Sequence, residues 1–324
     1  MLFRRTPRIE PPPPAAAPGA EHVLKRLEWT VIRRLDGLLQ GDYRTLLRGA
    51  GLDLADLREY QHHDDVRHID WNVTARLQQP HVRVFTEDRE MAAWFLLDLS
   101  PSVDFGSGEQ RKRNVSAEFV AVLARMLTRH GNRVGAMLYG SGVDTVIPTR
   151  GGRRHVLHLL HSMQTRPAGT EEGPTRLRDL LDSAAGLIKR RSTVFVVSDF
   201  ISEPGWEKPL GLLAQRHEVV AVRLLDPLEL QLPDLGLLTL RDAETGEQVL
   251  VDTHDPGFRK RFARIAAQRE AELRQSLMRA GVDALELSTD SDLVDAMVRF
   301  IEMRKRRARL AAGGGFPAHL KQAA

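Results

Sequence analysis

One carboxylate and two hydroxyls follow an apolar segment of the sequence at alternate positions. Asp98, Ser100 and Ser102 come directly after the run Trp94–Leu97, which is apolar throughout. Such a run is typical of a central strand that is covered on both faces, and Pro101 cannot continue a strand, so the chain must turn there. Ligand sites in open α/β sheets lie beyond the carboxyl ends of the strands. Oxygen ligands of this kind suit Mg²⁺ or Mn²⁺, although a Ser/Pro turn without any ligand explains the same residues.

A second group of metal-ligand residue types lies upstream, between His62 and Asp70. Its members are His62, His63, Asp64, Asp65, His68 and Asp70. Imidazoles and carboxylates together hold catalytic metals, so the group supports a metal-dependent hydrolase as an alternative function. We favour a charged turn in which Arg67 pairs with its neighbouring carboxylates, because arginine and carboxylate form strong charge-assisted hydrogen bonds. In that case Tyr60 and Trp71 would anchor the turn against the core.

The elements that must position these side chains alternate between strand and helix. Strands are expected around 94–97 and at 133–139, 143–148, 192–200, 218–225 and 282–287, and helices at about 21–39, 109–130, 176–189, 206–217, 256–279 and 293–307, with a further helix after Gly152. This order predicts an α/β fold with a doubly wound, mostly parallel sheet. Thr175 is placed to cap the helix that follows it, and Asp199 ends the fourth strand.

Composition shifts divide the chain into four parts. We expect a Pro/Ala-rich disordered tail (1–20), an N-terminal segment with a helix and the charged block (21–90), the α/β domain (91–305) and a basic, Gly-rich tail (306–324). A polar β-hairpin inserted near 239–252 is expected within the α/β domain. The N-terminal segment is therefore a helical and β extension of the main fold.

Composition and charge exclude several classes of function. The chain has no cysteine, which excludes disulfides and thiolate chemistry, and no window of 18 consecutive apolar residues, so we expect no membrane span and a cytoplasmic location. The sequence contains no phosphate-binding loop of the G-x-x-x-x-G-K-[ST] or G-x-G-x-x-G type. The net charge is only +4, and the basic run Arg304–Arg309 is better explained as a helix end than as a nucleic-acid site. We therefore expect no nucleic-acid partner.

Two patterns resemble known families. Asp98-x-Ser100-x-Ser102 with a loop Thr175 and a strand-end Asp199 resembles the metal-ion-dependent adhesion site of von Willebrand factor A domains. The upstream sequence resembles the signature of the bacterial family catalogued as domain of unknown function 58, through Gly49-x-Gly51-Leu52-Asp53, Leu57-Arg58-Glu59-Tyr60, Asp64-Asp65-Val66-Arg67-x-Ile69-Asp70-Trp71, Ala75-Arg76, Arg83-x-Phe85, Glu87 and Glu90.

The resemblance implies a fold, a metal site and a kind of partner. The fold would be von Willebrand factor A-like, which is a Rossmann-like doubly wound sheet. Ser100, Ser102 and Thr175 would offer hydroxyl ligands to Mg²⁺ or Mn²⁺, and Asp98 and Asp199 would hold the ion directly or through water. Thr170 is a rival to Thr175, which we prefer because it directly precedes the apolar-striped helix. A carboxylate from a partner would complete the coordination.

The same resemblance implies the biological role. Members of the family are often encoded beside an AAA+ ATPase of the MoxR group. The chain would then be a non-enzymatic, metal-dependent adaptor or assembly factor that acts with a MoxR-type ATPase on an unknown client protein.

Overall fold

The structure is a computed structural model that describes residues 19–32, 34–35, 56–61, 66, 69–84, 92–166, 174–243 and 245–312. Its strands are β1 (Asp56–Glu59), β2 (His81–Val84), β3 (Ala92–Asp98), β4 (Arg133–Tyr139), β5 (Val143–Arg150), β6 (Thr193–Ser198), β7 (Glu218–Leu225), β8 (Leu237–Arg241), β9 (Gln248–Asp252) and β10 (Asp283–Ser288). Its helices are α1 (Ala20–Leu27), α2 (Trp71–Leu77), α3 (Lys112–Arg129), α4 (Arg153–Thr165), α5 (Leu177–Leu187), α6 (Glu207–Arg216), α7 (Pro227–Leu230), α8 (Pro256–Ala280) and α9 (Leu293–Ala312).

A six-stranded sheet forms the centre of the molecule, in the order β10-β7-β6-β3-β4-β5. All neighbouring strands in it are parallel except β4 and β5, which form an antiparallel pair at one edge. The chain starts near the middle of the sheet with β3, adds β4 and β5 on one side, and then adds β6, β7 and β10 on the other. The expected α/β fold with a mostly parallel, doubly wound sheet is confirmed.

The central strand β3 is apolar at successive positions because both of its faces are covered. Phe95 and Leu97 belong to a core that also contains side chains of α1, α3, α4 and α9. Trp94 and Leu96 point to the opposite face, where they join side chains of α5, α6 and α8. Since side chains alternate along a strand, one apolar run supplies both layers of the core.

Helix α1 packs on the same layer as α3, although it lies far from it in sequence. Leu24 is fully buried in that core. Beyond α1, a π-helical turn spans Glu28–Ile32, and Glu28 accepts a hydrogen bond of 2.6 Å from Nε of Arg125 on α3. Residues 19–32 thus share a core with the α/β domain, and the boundary expected at residue 90 stays a prediction.

Helix α2, which lies in sequence between the antiparallel strands β1 and β2, corrects one expectation about the charged block. Trp71 was expected to anchor that block against the core, but its side chain is 69% exposed. Helix α2 has no buried residue. Asp70 caps its N-terminus, because Oδ1 of this side chain accepts hydrogen bonds from the amides of Asn72 and Val73. The helix is therefore held at its N-terminus by a polar cap and not by an aromatic anchor.

The expected hairpin insertion is present, formed by β8 and β9 in antiparallel register. Two differences from the predicted elements bear on the site. Helix α3 begins at Lys112, three residues later than predicted, and α7 is a single turn that was not predicted. Its signal in the sequence is the capping pattern Asp226-Pro227-x-Glu229, in which Asp226 and Glu229 cap one another.

Candidate metal centre

The two candidate carboxylates follow neighbouring strands at the same edge of the sheet. β3 and β6 are parallel, and Leu97 lies opposite Val197 in their register. Asp98 therefore ends β3 one residue before the level at which Asp199 follows β6. Both side chains are buried. The resemblance to the adhesion site implied that Asp98 and Asp199 act on one ion, and the parallel register of β3 and β6 brings both strand ends to one edge of the sheet.

Asp98 is held from two directions. Its Oδ1 accepts a hydrogen bond of 3.0 Å from the amide of Ser100, and its Oδ2 accepts one of 2.6 Å from the hydroxyl of Ser198. Burial and the nearby charge of Asp199 raise the pKa of Asp98 to about 6, although both hydrogen bonds act in the opposite direction. Burial therefore favours the protonated form of Asp98 more than its hydrogen bonds favour the carboxylate.

Ser100 and Ser102 come together in the turn after β3. Their hydroxyl oxygens lie 3.2 Å apart, and both side chains are buried. The turn is a 3₁₀ helix over Pro101–Asp104, which reverses the chain immediately after Ser100. The alternate spacing of the two serines thus places both hydroxyls on the inside of one tight turn.

Thr175 lies on the loop before α5, and its hydroxyl is the least satisfied group of the site. The side chain is 2% exposed, and Oγ1 has no hydrogen-bond partner in the described part of the chain. Its carbonyl accepts from the amide of Glu203 and from the hydroxyl of Ser202, both at 2.9 Å, which ties this loop to the segment that follows Asp199. The rival Thr170 lies outside the described residues.

The expected capping role of Thr175 is wrong. Helix α5 begins at Leu177, and its capping position is Arg176, which makes no side-chain cap. The amide of Leu177 donates instead to the hydroxyl of Ser202 at 2.9 Å, and that of Arg176 donates to the phenolic oxygen of Tyr139 at 2.8 Å. Because other side chains satisfy the start of the helix, the hydroxyl of Thr175 is left without that partner.

Asp199 stands at a tight turn. Its Oδ1 accepts a hydrogen bond of 3.0 Å from the amide of Ile201. Phe200 between them has φ of +59°, a left-handed conformation that is unfavourable for a residue with a bulky side chain. The amide of Phe200 donates to Ser198 at 2.9 Å and its ring packs 5.4 Å from that of Trp206, and these contacts hold the turn.

Lys112 is the member of the site that sequence reasoning missed. Its ammonium donates to Oδ2 of Asp199 at 2.7 Å and to Oε1 of Glu229 at 2.5 Å, and its side chain is 1% exposed. Burial opposes the charge on Lys112, but the carboxylates of Asp199 and Glu229 outweigh it, so the pKa of Lys112 is raised. Burial also raises the pKa of Glu229, against the attraction of Lys112.

A third strand-end carboxylate, Asp226 after β7, is used to tie loops together. Its Oδ2 accepts hydrogen bonds from the amide of Ser107 at 2.9 Å and from the hydroxyl of Thr289 at 2.7 Å, and its Oδ1 accepts from the amide of Leu228 at 3.0 Å. Burial alone would raise the pKa of Asp226, but these hydrogen bonds lower it. Asp226 is therefore a structural carboxylate that stabilises the loops around the candidate site.

The donor chemistry of the site fits a hard divalent cation. The candidate donors are the buried carboxylates of Asp98 and Asp199, the paired hydroxyls of Ser100 and Ser102, and the hydroxyl of Thr175, which has no hydrogen-bond partner among the described residues. Within the ranges that the structure describes, no three His, Asp or Glu side chains form a cluster of metal ligands. A cation here would consequently depend on hydroxyl oxygens and waters, as Mg²⁺ accepts. The nearby ammonium of Lys112 opposes it.

The remaining candidates from the sequence are the group between His62 and Asp70 and the basic run at the end of α9. Of the group expected to support a hydrolase, His62–Asp65 and His68 lie outside the described residues, and Asp70 caps α2. In the basic run, Arg304 is buried and pairs with Glu218 and, at 3.1 Å, with Asp283. Arg304 therefore stabilises the junction of α9 with the sheet.

No helix among the described residues is long and apolar enough to cross a membrane.

Comparisons with known proteins place the chain among bacterial relatives. The family model described as protein of unknown function DUF58 matches residues 56–272. The chain is 38% identical over 291 residues to uncharacterized protein Rv1480 of Mycobacterium tuberculosis, a match that covers 90% of this chain and 92% of that protein.

Similar solved structures include BatB from Bacteroides thetaiotaomicron, at 12% identity and a TM-score of 0.42 over 67% of this chain and 99% of that one. The VWA domain of SpRpn10 is similar at 14% identity and a TM-score of 0.37, over 65% of this chain and 95% of that one.

Proposed function

The chain belongs to the DUF58 family of proteins of unknown function, and from this premise we propose that it is a non-enzymatic, metal-dependent protein-binding module. The proposed ligand site consists of Asp98, Ser100, Ser102, Thr175 and Asp199. The single observation that carries the proposal is the hydroxyl of Thr175, which is buried and has no hydrogen-bond partner among the described residues. It lies on a loop that its own carbonyl ties to Ser202, shortly after Asp199. An unpaired buried hydroxyl costs free energy, so its presence needs a ligand or another compensation.

Each side chain has a definite task in this proposal. The hydroxyls of Ser100, Ser102 and Thr175 provide neutral oxygen ligands, and Asp98 and Asp199 provide the negative charge that balances the ion. Ser198 and the amide of Ser100 fix the orientation of Asp98 before any ligand arrives. Bound Mg²⁺ or Mn²⁺ would supply a Lewis-acidic position for a carboxylate of a partner protein.

The proposed partner is a MoxR-type AAA+ ATPase, together with a client protein that is not identified. The family resemblance of the sequence supports this choice. The sequence contains no phosphate-binding loop, so energy-dependent remodelling of a client would need ATP hydrolysis by another chain. A cytoplasmic location is part of the same proposal, and the cysteine-free composition is compatible with a reducing compartment.

Affinity capture tests the proposal. The full chain is immobilised and exposed, in Mg²⁺ or in EDTA, to a lysate that contains a MoxR-type ATPase, and the bound proteins are identified by mass spectrometry. We expect the ATPase or its client to be retained in Mg²⁺, released by EDTA and lost in Ser100→Ala. Thr239→Ala, which removes an exposed hydroxyl on β8, is the matched control and should bind as the wild type does. Retention that is indifferent to both EDTA and Ser100→Ala would contradict a metal-dependent interface.

A further inference from the structure

A fully buried ammonium lies against one carboxylate of the candidate metal centre. Nζ of Lys112 is 2.7 Å from Asp199 and 2.5 Å from Glu229, and it lies 5.9 Å from the ring centroid of Phe105. Lysine is almost never fully buried unless it is paired, because removal of the charge from water is costly. The carboxylates therefore determine where this side chain lies.

The position of Lys112 in its helix strengthens this conclusion. It is the first residue of α3, where the helix dipole makes a positive charge unfavourable. Its amide donates to the carbonyl of Phe105 at 3.0 Å, which closes the preceding loop. Gly106 allows this closure, since a Cβ at that position would lie 2.3 Å from the carbonyl oxygen of Gln110. The loop thus places a positive charge at the site, although the dipole of α3 disfavours that charge there.

Both oxygens of the Asp199 carboxylate already accept hydrogen bonds. Its Oδ1 is occupied by the amide of Ile201, and its Oδ2 by Lys112. A lone pair that accepts from the ammonium is not free for a divalent cation or for its bound water. The positive charge of Lys112 also repels any cation placed between Asp98 and Asp199. Glu229 acts in the other direction, because it supplies the ammonium with a second acceptor.

We propose that Lys112 is a tethered cation that competes with the divalent metal ion for Asp199, and that Glu229 weakens this competition by holding the ammonium on α7. The inference rests on the proposed metal-dependent function and deepens it. Lys112 is a positioning residue that sets how readily the site loads with metal. Glu229 belongs to α7, where its side chain also accepts a hydrogen bond of 3.1 Å from the amide of Asp226.

Metal titration of the full chain by calorimetry tests this directly, with Mn²⁺ as the probe. Lys112→Met should tighten Mn²⁺ binding by about tenfold or more, since it removes a unit charge and frees Oδ2 of Asp199. Glu229→Gln should weaken binding, because the ammonium then loses one of the two carboxylates that it contacts in the described part of the chain and depends more on Asp199. Arg111→Met is the matched control, which removes an exposed charge from the adjacent position and should change the affinity by less than about twofold.

The double variant Lys112→Met/Glu229→Gln preserves the net charge of the cluster. Binding tighter than that of the wild type in this variant supports direct competition for Asp199, whereas wild-type affinity would overturn it. Unchanged or weaker binding in a folded Lys112→Met, judged by circular dichroism, would also overturn the inference. If Lys112→Met does not fold, Glu229→Gln decides: weaker binding supports the inference, and unchanged or tighter binding overturns it.

Failure of this inference can be told apart from failure of the proposed function. Wild-type binding that is lost in Asp98→Ala but unaffected by Lys112→Met contradicts competition alone. No Mn²⁺ binding in the wild type or in any of these variants contradicts the metal-dependent function as well. Binding by Lys112→Met in the absence of measurable wild-type binding would support the competition most strongly.

Discussion

The hydroxyl of Ser198 donates to Oδ2 of Asp98 across a distance of 2.6 Å, joining the ends of the two central strands β6 and β3. The same hydroxyl accepts the amide of Phe200 at 2.9 Å. One side chain therefore fixes both the carboxylate that ends β3 and the turn that carries Asp199. The orientation of Asp98 is determined by the sheet before any ligand binds.

Ser198→Ala should destabilise the protein and weaken its metal site together. The substitution leaves Oδ2 of a buried carboxylate without its donor, which costs about 1–3 kcal/mol of unfolding free energy. Loss of this hydrogen bond should also raise the pKa of Asp98 further. Denaturant unfolding measures the first effect, and Mn²⁺ titration measures the second. A variant with wild-type stability and affinity would show that Ser198 does not hold Asp98.

Thr175→Val should have opposite effects on stability and on metal binding. Valine has nearly the shape of threonine and removes the hydroxyl that lacks a partner, so the metal-free protein should be more stable by about 1 kcal/mol. Mn²⁺ affinity should fall, because a ligand oxygen is lost. Denaturant unfolding in EDTA and calorimetry in Mn²⁺ check the two effects. A Thr175→Val protein that is destabilised in EDTA would mean that the hydroxyl has a structural partner.

The raised pKa of Asp98 predicts a particular pH dependence. In the folded, metal-free protein the pKa of the Asp98 carboxyl is raised to about 6, whereas the pKa of this group in the unfolded chain is 3.8. Its contribution to stability is therefore complete below the unfolded pKa and is lost as the pH rises through about 6, a change on the order of 3 kcal/mol. Mn²⁺ affinity should rise over the same interval, since the ion requires the carboxylate.

Unfolding in EDTA at a series of pH values between about 4 and 7 measures this contribution. Asp98→Asn is the control, because its amide does not titrate and should remove this component of the pH dependence. An identical pH profile in the wild type and in Asp98→Asn would show that the pKa of Asp98 is not raised by burial and by Asp199.

The sequence predicted the mostly parallel sheet, and its family resemblance identified the candidate ligands. The apolar runs before Asp98 and Asp199 identify central strands, and parallel strands bring their carboxyl ends to one edge. Lys112 and Glu229 were missed, because the contacts of Lys112 with Asp199 and with Glu229 depend on tertiary packing across 87 and 117 residues of sequence. Sequence periodicity does not report such contacts.

Two local predictions failed for the same physical reason. Thr175 was expected to cap α5, but the hydroxyl of Ser202 arrives from another loop and takes the amide of Leu177. Trp71 was expected to anchor the charged block against the core, but α2 has no buried residue. Local residue type predicts what a side chain can do, and tertiary neighbours determine which of these possibilities is realised.

The charged block between His62 and Asp70 is predicted to have no catalytic role. Assays with phosphomonoester and phosphodiester substrates in Mn²⁺, Fe²⁺ or Zn²⁺ should show no turnover above the buffer. Asp70 is already engaged as the cap of α2. Robust turnover that is lost in His63→Ala or Asp64→Ala would establish the hydrolase alternative instead.

Calorimetric titration of the full chain with Mn²⁺, compared with Asp98→Ala, tests the central claim most directly. We predict one binding event in the wild type that Asp98→Ala abolishes, while Thr239→Ala on the exposed face of β8 retains it and circular dichroism shows that all three proteins are folded. Equal Mn²⁺ binding by the wild type and Asp98→Ala would contradict a metal centre at the ends of β3 and β6.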